Sequence, residues 1–345
     1  MSLSPSNPPP GRRRSRPRTS SLKPSPSSEG RQLTLWPAQK PTTWAEIPAV
    51  RFELPPTELS LGASLNCGQA FRWVPSTDGA WTGVVWDRAI RLRRSGDFVE
   101  LRSYPSLPDP EAWFSAYFRL DVDLKALYSQ FQRAHPYLAE AISLFPGLRV
   151  LGQPPMEVIL SYALSVNNSV PRISRAIEVL SRRFGHHIAT LDGVSYHAFP
   201  RLEVLAGLNL PDPDLTAETG AGWRLENLKR VAGALLARGE GWLTGLRARP
   251  YEDAWAELMT LPGIGPKIAD CVCLFGLRFD EAVPVDTHIW ALARELFGPV
   301  ISARTLTPAA YRLVSRLYRE KFGSFAGWAQ EYLYHWRRVK LGRVG

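Results

Sequence analysis

The sequence predicts an α+β fold: an N-terminal antiparallel β-sheet followed by a mostly helical region built around a helix–turn–helix with a Gly/Pro-rich turn. Three observations predict it. Between residues 46 and 105 apolar and polar residues alternate with period two. From about residue 110 onward apolar residues recur at three- and four-residue spacing. Pro at the starts and Gly at the ends bracket many of those later segments.

Taken in order, residues 1–45 are rich in Pro, Ser and Arg ("SPSNPPPGRRRSRPRTSSLKPSPSS"). Such a segment buries too little apolar surface to offset its ordering entropy, so a disordered basic tail is predicted. Within it, "QLTLWP" (32–37) resembles short peptides that dock on replication sliding clamps, which makes a clamp an expected partner. The sheet domain is placed at 46–150. Its strands are "AFRWV", "AWTGVVW", "AIRLRR" and "FVELRSY", separated by the turn signals "STDGA" and "RSGDF". The helical domain is placed at 151–340, after the first helical patterns "PEAWFSAYF" and "LKALYSQFQRA". Its segments include "PMEVILSYALSV", "VPRISRAIEVLSRRFG", "RLENLKRVAGALLARG", "DTHIWALARELFG", "PAAYRLVSRLYREKFG" and "FAGWAQEYLYHWRRV".

Composition narrows the function classes. Net charge is +10 over 345 residues, but residues 1–40 carry eight basic residues and one acidic. The remaining 305 carry 34 basic and 31 acidic, so the body is nearly balanced. A basic tail suits nucleic acid or an acidic surface. Cys67, Cys271 and Cys273 are the only cysteines, which argues against a disulfide framework and points to a reducing compartment. Three cysteines also exclude a four-cysteine zinc or iron–sulfur site, and neither metal nor cofactor is expected. No run approaches the roughly 18 apolar residues of a membrane span. The N-terminus lacks the layout of a secretory signal.

The most informative stretch is "YEDAWAELMTL-PGIGP-KIADCVCLFGL". Pro262 ends one helix and Pro266 suits the first turn of the next. Gly263 and Gly265 permit positive φ and let another chain approach the backbone. The free amides of such a turn suit a phosphate. A Walker loop is excluded because Ile268 follows Lys267, and a dinucleotide fingerprint because no third glycine stands at 268. Lys267 occupies a helix start, whose partial positive charge disfavours an ammonium, and a neutral amine is a nucleophile. Cys271 lies four residues on, on the same helix face. In "AVPVDTHIW", Asp286 suits an N-cap, and a carboxylate at the end of an extended run is also well placed to face a pocket.

The hairpin, Lys267 and Asp286 together resemble the helix-hairpin-helix, Gly/Pro-rich, Asp signature of the DNA glycosylase superfamily. "CGQAFRW" (67–73), "SVNNSVPRI" (165–173), "VPVDTHIW" and "GWAQEYLY" (327–334) resemble 8-oxoguanine DNA glycosylases, in order and at similar spacing, over about residues 45–338. The iron–sulfur relatives are excluded by the cysteine count, and the alkyl-base glycosylases lack the lysine.

The resemblance implies a bifunctional glycosylase and lyase, acting as a monomer on double-stranded DNA containing 8-oxoguanine. Lys267 would attack C1′ of a flipped nucleotide, and Asp286 would stabilise charge on the sugar. The Gly68 carbonyl would accept from N7–H, which 8-oxoguanine has and guanine lacks. Gln330 would read the Watson–Crick edge, with Cys271 and Tyr334 sandwiching the base. Asn167 would fill the vacated space, Arg172 and Arg224 would donate to the estranged cytosine, and Trp223 would act as wedge. His288 would contact a phosphate, as would the hairpin at Gly263 and Gly265. Where the family carries an acid three residues after the stacking aromatic, this chain has Arg337. The competing readings are a hairpin DNA-binding protein without catalysis and a glycosylase for another damaged base. A nuclear location is expected, with mitochondrion, or cytoplasm and nucleoid in a bacterium, as alternatives.

Overall fold

A computed structural model describes residues 40–342. Most of the predicted tail, including "QLTLWP", lies outside the described residues. The tail boundary at 45 needs correction, because folded structure is already present at residues 40–45. Trp44 is buried against Ile47, Val84, Ile188 and Leu191, and its indole N–H donates to the Tyr196 hydroxyl (3.4 Å). Two apolar residues in a polar stretch suffice for this anchor, and no period reveals them.

The sheet has five antiparallel strands: β1 (Val50–Glu53), β2 (Trp73–Pro75), β3 (Trp81–Val85), β4 (Arg88–Ser95) and β5 (Phe98–Tyr104), in the order β1-β5-β4-β3-β2. The alternation of residues 88–104 puts Ile90, Leu92, Val99 and Leu101 on one face, under Phe114, Tyr117 and Phe118 of α2 (Pro110–Phe118). Between β1 and β2 the chain makes a short helix, α1 (Leu61–Asn66), whose N-cap Ser60 hydroxyl accepts from the Ala63 amide (3.3 Å). The loop after α1 carries Cys67 and Gly68 out of the sheet toward the helices.

The helical region continues through α3 (Leu124–Ala134), α4 (Pro136–Leu144), α5 (Pro155–Ala163) and α6 (Val170–Phe184). A small hairpin, β6 (His187–Leu191) and β7 (Val194–His197), interrupts it. Then come α7 (Leu202–Ala206), α8 (Pro213–Thr219), α9 (Arg224–Arg238), α10 (Trp242–Gly245), α11 (Tyr251–Leu258) and α12 (Pro266–Cys271). The last three are α13 (Thr287–Phe297), α14 (Pro308–Phe322) and α15 (Ala326–Lys340). No helix among the described residues is long and apolar enough to cross a membrane.

One large core joins these helices, and it does not respect a boundary at residue 150. Leu127, Phe131, Leu138 and Ile142 of α3 and α4 are buried in the same cluster as Tyr318, Phe322, Leu333 and Trp336. The α15 N-terminus is fixed from outside. Arg119 grips the Asp280 carboxylate with two parallel bonds (2.9 Å each), and the Trp328 indole donates to the same carboxylate (2.9 Å). Gly327 is jammed against the Ala282 carbonyl, where a Cβ would sit at 2.4 Å. In "GWAQ", Gly and Trp therefore serve to anchor the helix, and Gln330 is left free for another task.

Candidate active site

The hairpin forms as predicted, α11–turn–α12, but its two glycines differ. Gly263 has φ +73°, and a Cβ there would overlap the Asn227 Oδ1 of α9 at 1.7 Å. Gly265 is the N-cap of α12 at φ −95°, ordinary backbone for any residue, and faces open space. Of the two glycines only Gly263 uses the positive φ that glycine permits; what the missing side chain of Gly265 provides is bare backbone at the surface.

Lys267 is the second residue of α12, with Nζ 4.9 Å from the ring centre of Tyr162 on α5. Cys271, one turn on, is buried, and burial pushes its thiol up to about 12 against the opposing charge of Lys267. It is a neutral, polarizable surface rather than a thiolate. After Cys271 the helix widens into a π turn, Val272–Gly276, a distortion common at functional sites. Asp270 anchors α12 from behind. It is fully buried and accepts from the hydroxyls of Tyr251 (2.5 Å) and Tyr311. Burial holds its carboxyl up to about 7, with both tyrosine bonds pulling the other way.

Asp286 caps α13, its Oδ1 accepting from the Ile289 amide (2.8 Å). Gln330 is 3% exposed, and its Oε1 has no hydrogen-bond partner among the described residues. A buried amide oxygen without a partner costs about 1–3 kcal/mol unless something else satisfies it. Tyr334 meets His288 edge to face (ring centres 5.8 Å apart). Gly68 has φ +103°. Together Gly68, Lys267, Cys271, Asp286, Gln330 and Tyr334 line one small cavity of about 40 Å³. All six residues assigned to catalysis and base binding thus converge on one point. Arg337 turns away to pair with Glu295 of α13 (2.9 Å), so it ties α15 to the helix that carries His288.

The residues assigned to the opposite strand form a second group. Asn167 is exposed at φ +47°. Arg224 donates to the carbonyls of Val166 and Asn167 (2.6 Å each) and lies over the Trp223 ring (4.9 Å). Trp223 is 57% exposed, unusual for so large an apolar side chain. Arg172 stands exposed on the first turn of α6.

The cavity also contains Tyr162, Phe275, Pro284 and Glu331, which sequence patterns did not single out. Glu331 is 2% exposed, and burial holds its carboxyl up to about 7 against the nearby charge of Arg338. A charged residue beside Gln330 in an otherwise aromatic stretch was the one available signal.

The family model "8-oxoguanine DNA glycosylase, N-terminal domain" matches residues 51–159. The N-glycosylase/DNA lyase of Arabidopsis thaliana is 33% identical over 285 residues, covering 81% of this chain and 77% of the relative. The chain belongs to the 8-oxoguanine DNA glycosylase family. The Saccharomyces cerevisiae N-glycosylase/DNA lyase is 30% identical, covering 81% of this chain and 83% of that one. Among solved family structures, the Clostridium acetobutylicum 8-oxoguanine glycosylase/lyase has been seen with double-stranded DNA containing cytosine opposite 8-oxoguanine. It superposes with a TM-score of 0.72 at 28% identity, over 82% of this chain and 93% of that one. The glycosylase family thus accounts for sheet and helical region together. A 3-methyladenine glycosylase from Archaeoglobus fulgidus shares the fold at 20% identity.

Proposed function

We propose that this protein excises 8-oxoguanine paired with cytosine from double-stranded DNA and then cuts the strand at the abasic site. The observation that carries this reading is the single cavity holding Lys267, Asp286, Gly68, Gln330, Cys271 and Tyr334. A DNA-binding module has no use for a half-buried amine, a half-buried carboxylate and a buried amide oxygen without a partner, all lining one cavity.

The lesion nucleotide must leave the duplex, at a cost of a few kcal/mol in lost stacking. Asn167, exposed with its backbone at φ +47°, suits the gap that remains, Trp223, exposed beside Arg224, suits the wedge, and Arg172 and Arg224 suit the estranged cytosine. The flipped base enters between Cys271 and Tyr334. Gln330 meets its Watson–Crick edge, which also satisfies the orphaned Oε1. The Gly68 carbonyl accepts from N7–H; guanine would turn a lone pair toward it, a mismatch of buried polar groups.

The Lys267 amine then attacks C1′, and the C1′–N9 bond breaks with its electrons leaving on the base. Loss of a proton from the attacking nitrogen and opening of the sugar give the iminium. Asp286 stabilises the positive charge that develops on the sugar. The iminium acidifies C2′; loss of that proton expels the 3′ phosphate and cuts the strand. His288 and the open backbone at Gly263 and Gly265 serve the flanking phosphates. The basic tail supplies non-specific attraction, and its "QLTLWP" segment the clamp contact, in a nuclear setting.

A panel of duplexes carrying different lesions opposite each of the four bases tests this reading. Release of 8-oxoguanine fastest opposite cytosine is expected. Duplex binding with no base released, or preference for an alkylated base, would contradict it.

A further inference from the structure

We propose that Arg338 is a positioning residue that aims the base-reading carbonyl of Gly68. The inference rests on the reading of Gly68 given above. Glycine is the residue least able to hold its own carbonyl in one direction. Gly68, at φ +103°, needs restraint from both sides.

On the following side Gln69 supplies it. Its side-chain amide donates to the carbonyls of Ser64 (2.9 Å) and Arg149 (2.8 Å) and accepts from the Leu151 amide (2.8 Å). Its own carbonyl accepts from Gln153 (2.8 Å). On the preceding side the restraint is Arg338. Its Nη1 donates to the Cys67 carbonyl (2.6 Å) in a buried, charge-assisted bond. The Cys67–Gly68 peptide is planar, so holding that carbonyl fixes the plane of the whole unit.

The same guanidinium fills the space that a side chain at residue 68 would need. A Cβ there would sit 2.8 Å from Arg338 Nη1 and 3.6 Å from the Tyr334 ring. Arg338 also lies over the face of Tyr334 (5.4 Å). Glu331 sits against both the Cys67 thiol and the charge of Arg338. Gln330, Tyr334 and Arg338 all belong to α15. One rigid helix therefore carries the amide that reads one edge of the base and the stacking ring. It also carries the strut for the carbonyl that reads the other edge.

Base recognition and strand cleavage separate in the test. An abasic site presents no base, so β-elimination there does not use the Gly68 carbonyl. In single-turnover assays, Arg338→Met should slow excision from an 8-oxoguanine·cytosine duplex roughly 10-fold or more. The same variant should cleave a preformed abasic site within about two-fold of wild type. Arg338→Lys, which keeps the charge and one donor, should recover part of the excision. Unchanged excision in Arg338→Met overturns the proposal. So does an equal loss of both activities in Arg338→Lys and Arg338→Met, which marks a general structural role. Wild-type protein that releases no 8-oxoguanine would instead defeat the functional reading on which the proposal rests.

Discussion

Asp286 caps a helix and lines the cavity with one carboxylate. The two roles separate by substitution. Asp286→Ala should cost about 1 kcal/mol in a urea melt, while Asp286→Asn, itself a good cap, should stay within about 0.5 kcal/mol. On the proposed mechanism both should slow base excision, because neither carries the carboxylate charge. A cap-only role would leave the excision rate of Asp286→Asn at the wild-type value. Gly263→Ala makes a sharper stability prediction. Its φ of +73° and the overlap with Asn227 Oδ1 should cost about 1–3 kcal/mol by the same melt, whereas Gly265→Ala should be nearly neutral. At this scale the sequence was most legible where a residue's chemistry is odd for its place. A lysine at a helix start and an acid after Pro-Val are of that kind. Tyr162 was not legible, since it reads as one more helical position, and Glu331 offered only its charge in an otherwise aromatic stretch. Their burial comes from the loop after α1 and from α12 crossing over them, contacts between segments far apart in sequence.

The element that organises the site is α15. Its Gly327 and Trp328 fix the helix to Asp280 and Ala282, and the next three turns bear Gln330, Glu331, Tyr334 and Arg338. A buried carboxyl on such a helix leaves a pH signature. Burial holds Glu331 at about 7, above its ordinary 4.5. The folded chain therefore keeps a proton that the unfolded chain releases. Between pH 4.5 and 7 this group's contribution to stability falls as pH rises. Asp270 acts in the same sense. His335, pushed down to about 4 by burial, acts in the opposite sense below its ordinary 6.5. The difference between variants isolates Glu331. Glu331→Gln should gain on wild type by about 2 kcal/mol between pH 5 and pH 8, measured by urea unfolding. A difference that stays flat with pH would show that Glu331 is already ionised in the fold. Long periodic segments such as α6, α9, α14 and α15 were readable from their apolar stripes. The β6–β7 hairpin was not, because "HHIATLDGVSYH" is too short to stand out inside a helical region. The π turn after Cys271 was equally hidden, since it continues an apolar helical pattern.

For the whole molecule, charge and chemistry sit in different places. The tail carries most of the net positive charge, and every residue of the cavity lies within the described fold. A chain beginning at Lys40 should therefore keep single-turnover excision at low salt. It should bind undamaged duplex more weakly, with a shallower dependence of log K on log salt, as fewer counterions are released. An unchanged salt slope would place the DNA contact wholly in the body. The α+β class and the order of sheet then helices follow from periodicity alone. The sharing of one core by α3, α4, α14 and α15 does not, because it is decided by long-range packing.

The central claim is that Lys267 is the nucleophile. Borohydride added during reaction with an 8-oxoguanine·cytosine duplex should reduce the Schiff base and leave a covalent protein–DNA adduct. Lys267→Gln should still bind the duplex and form none. An adduct of undiminished yield in Lys267→Gln would place the nucleophile elsewhere and contradict the reading of this pocket.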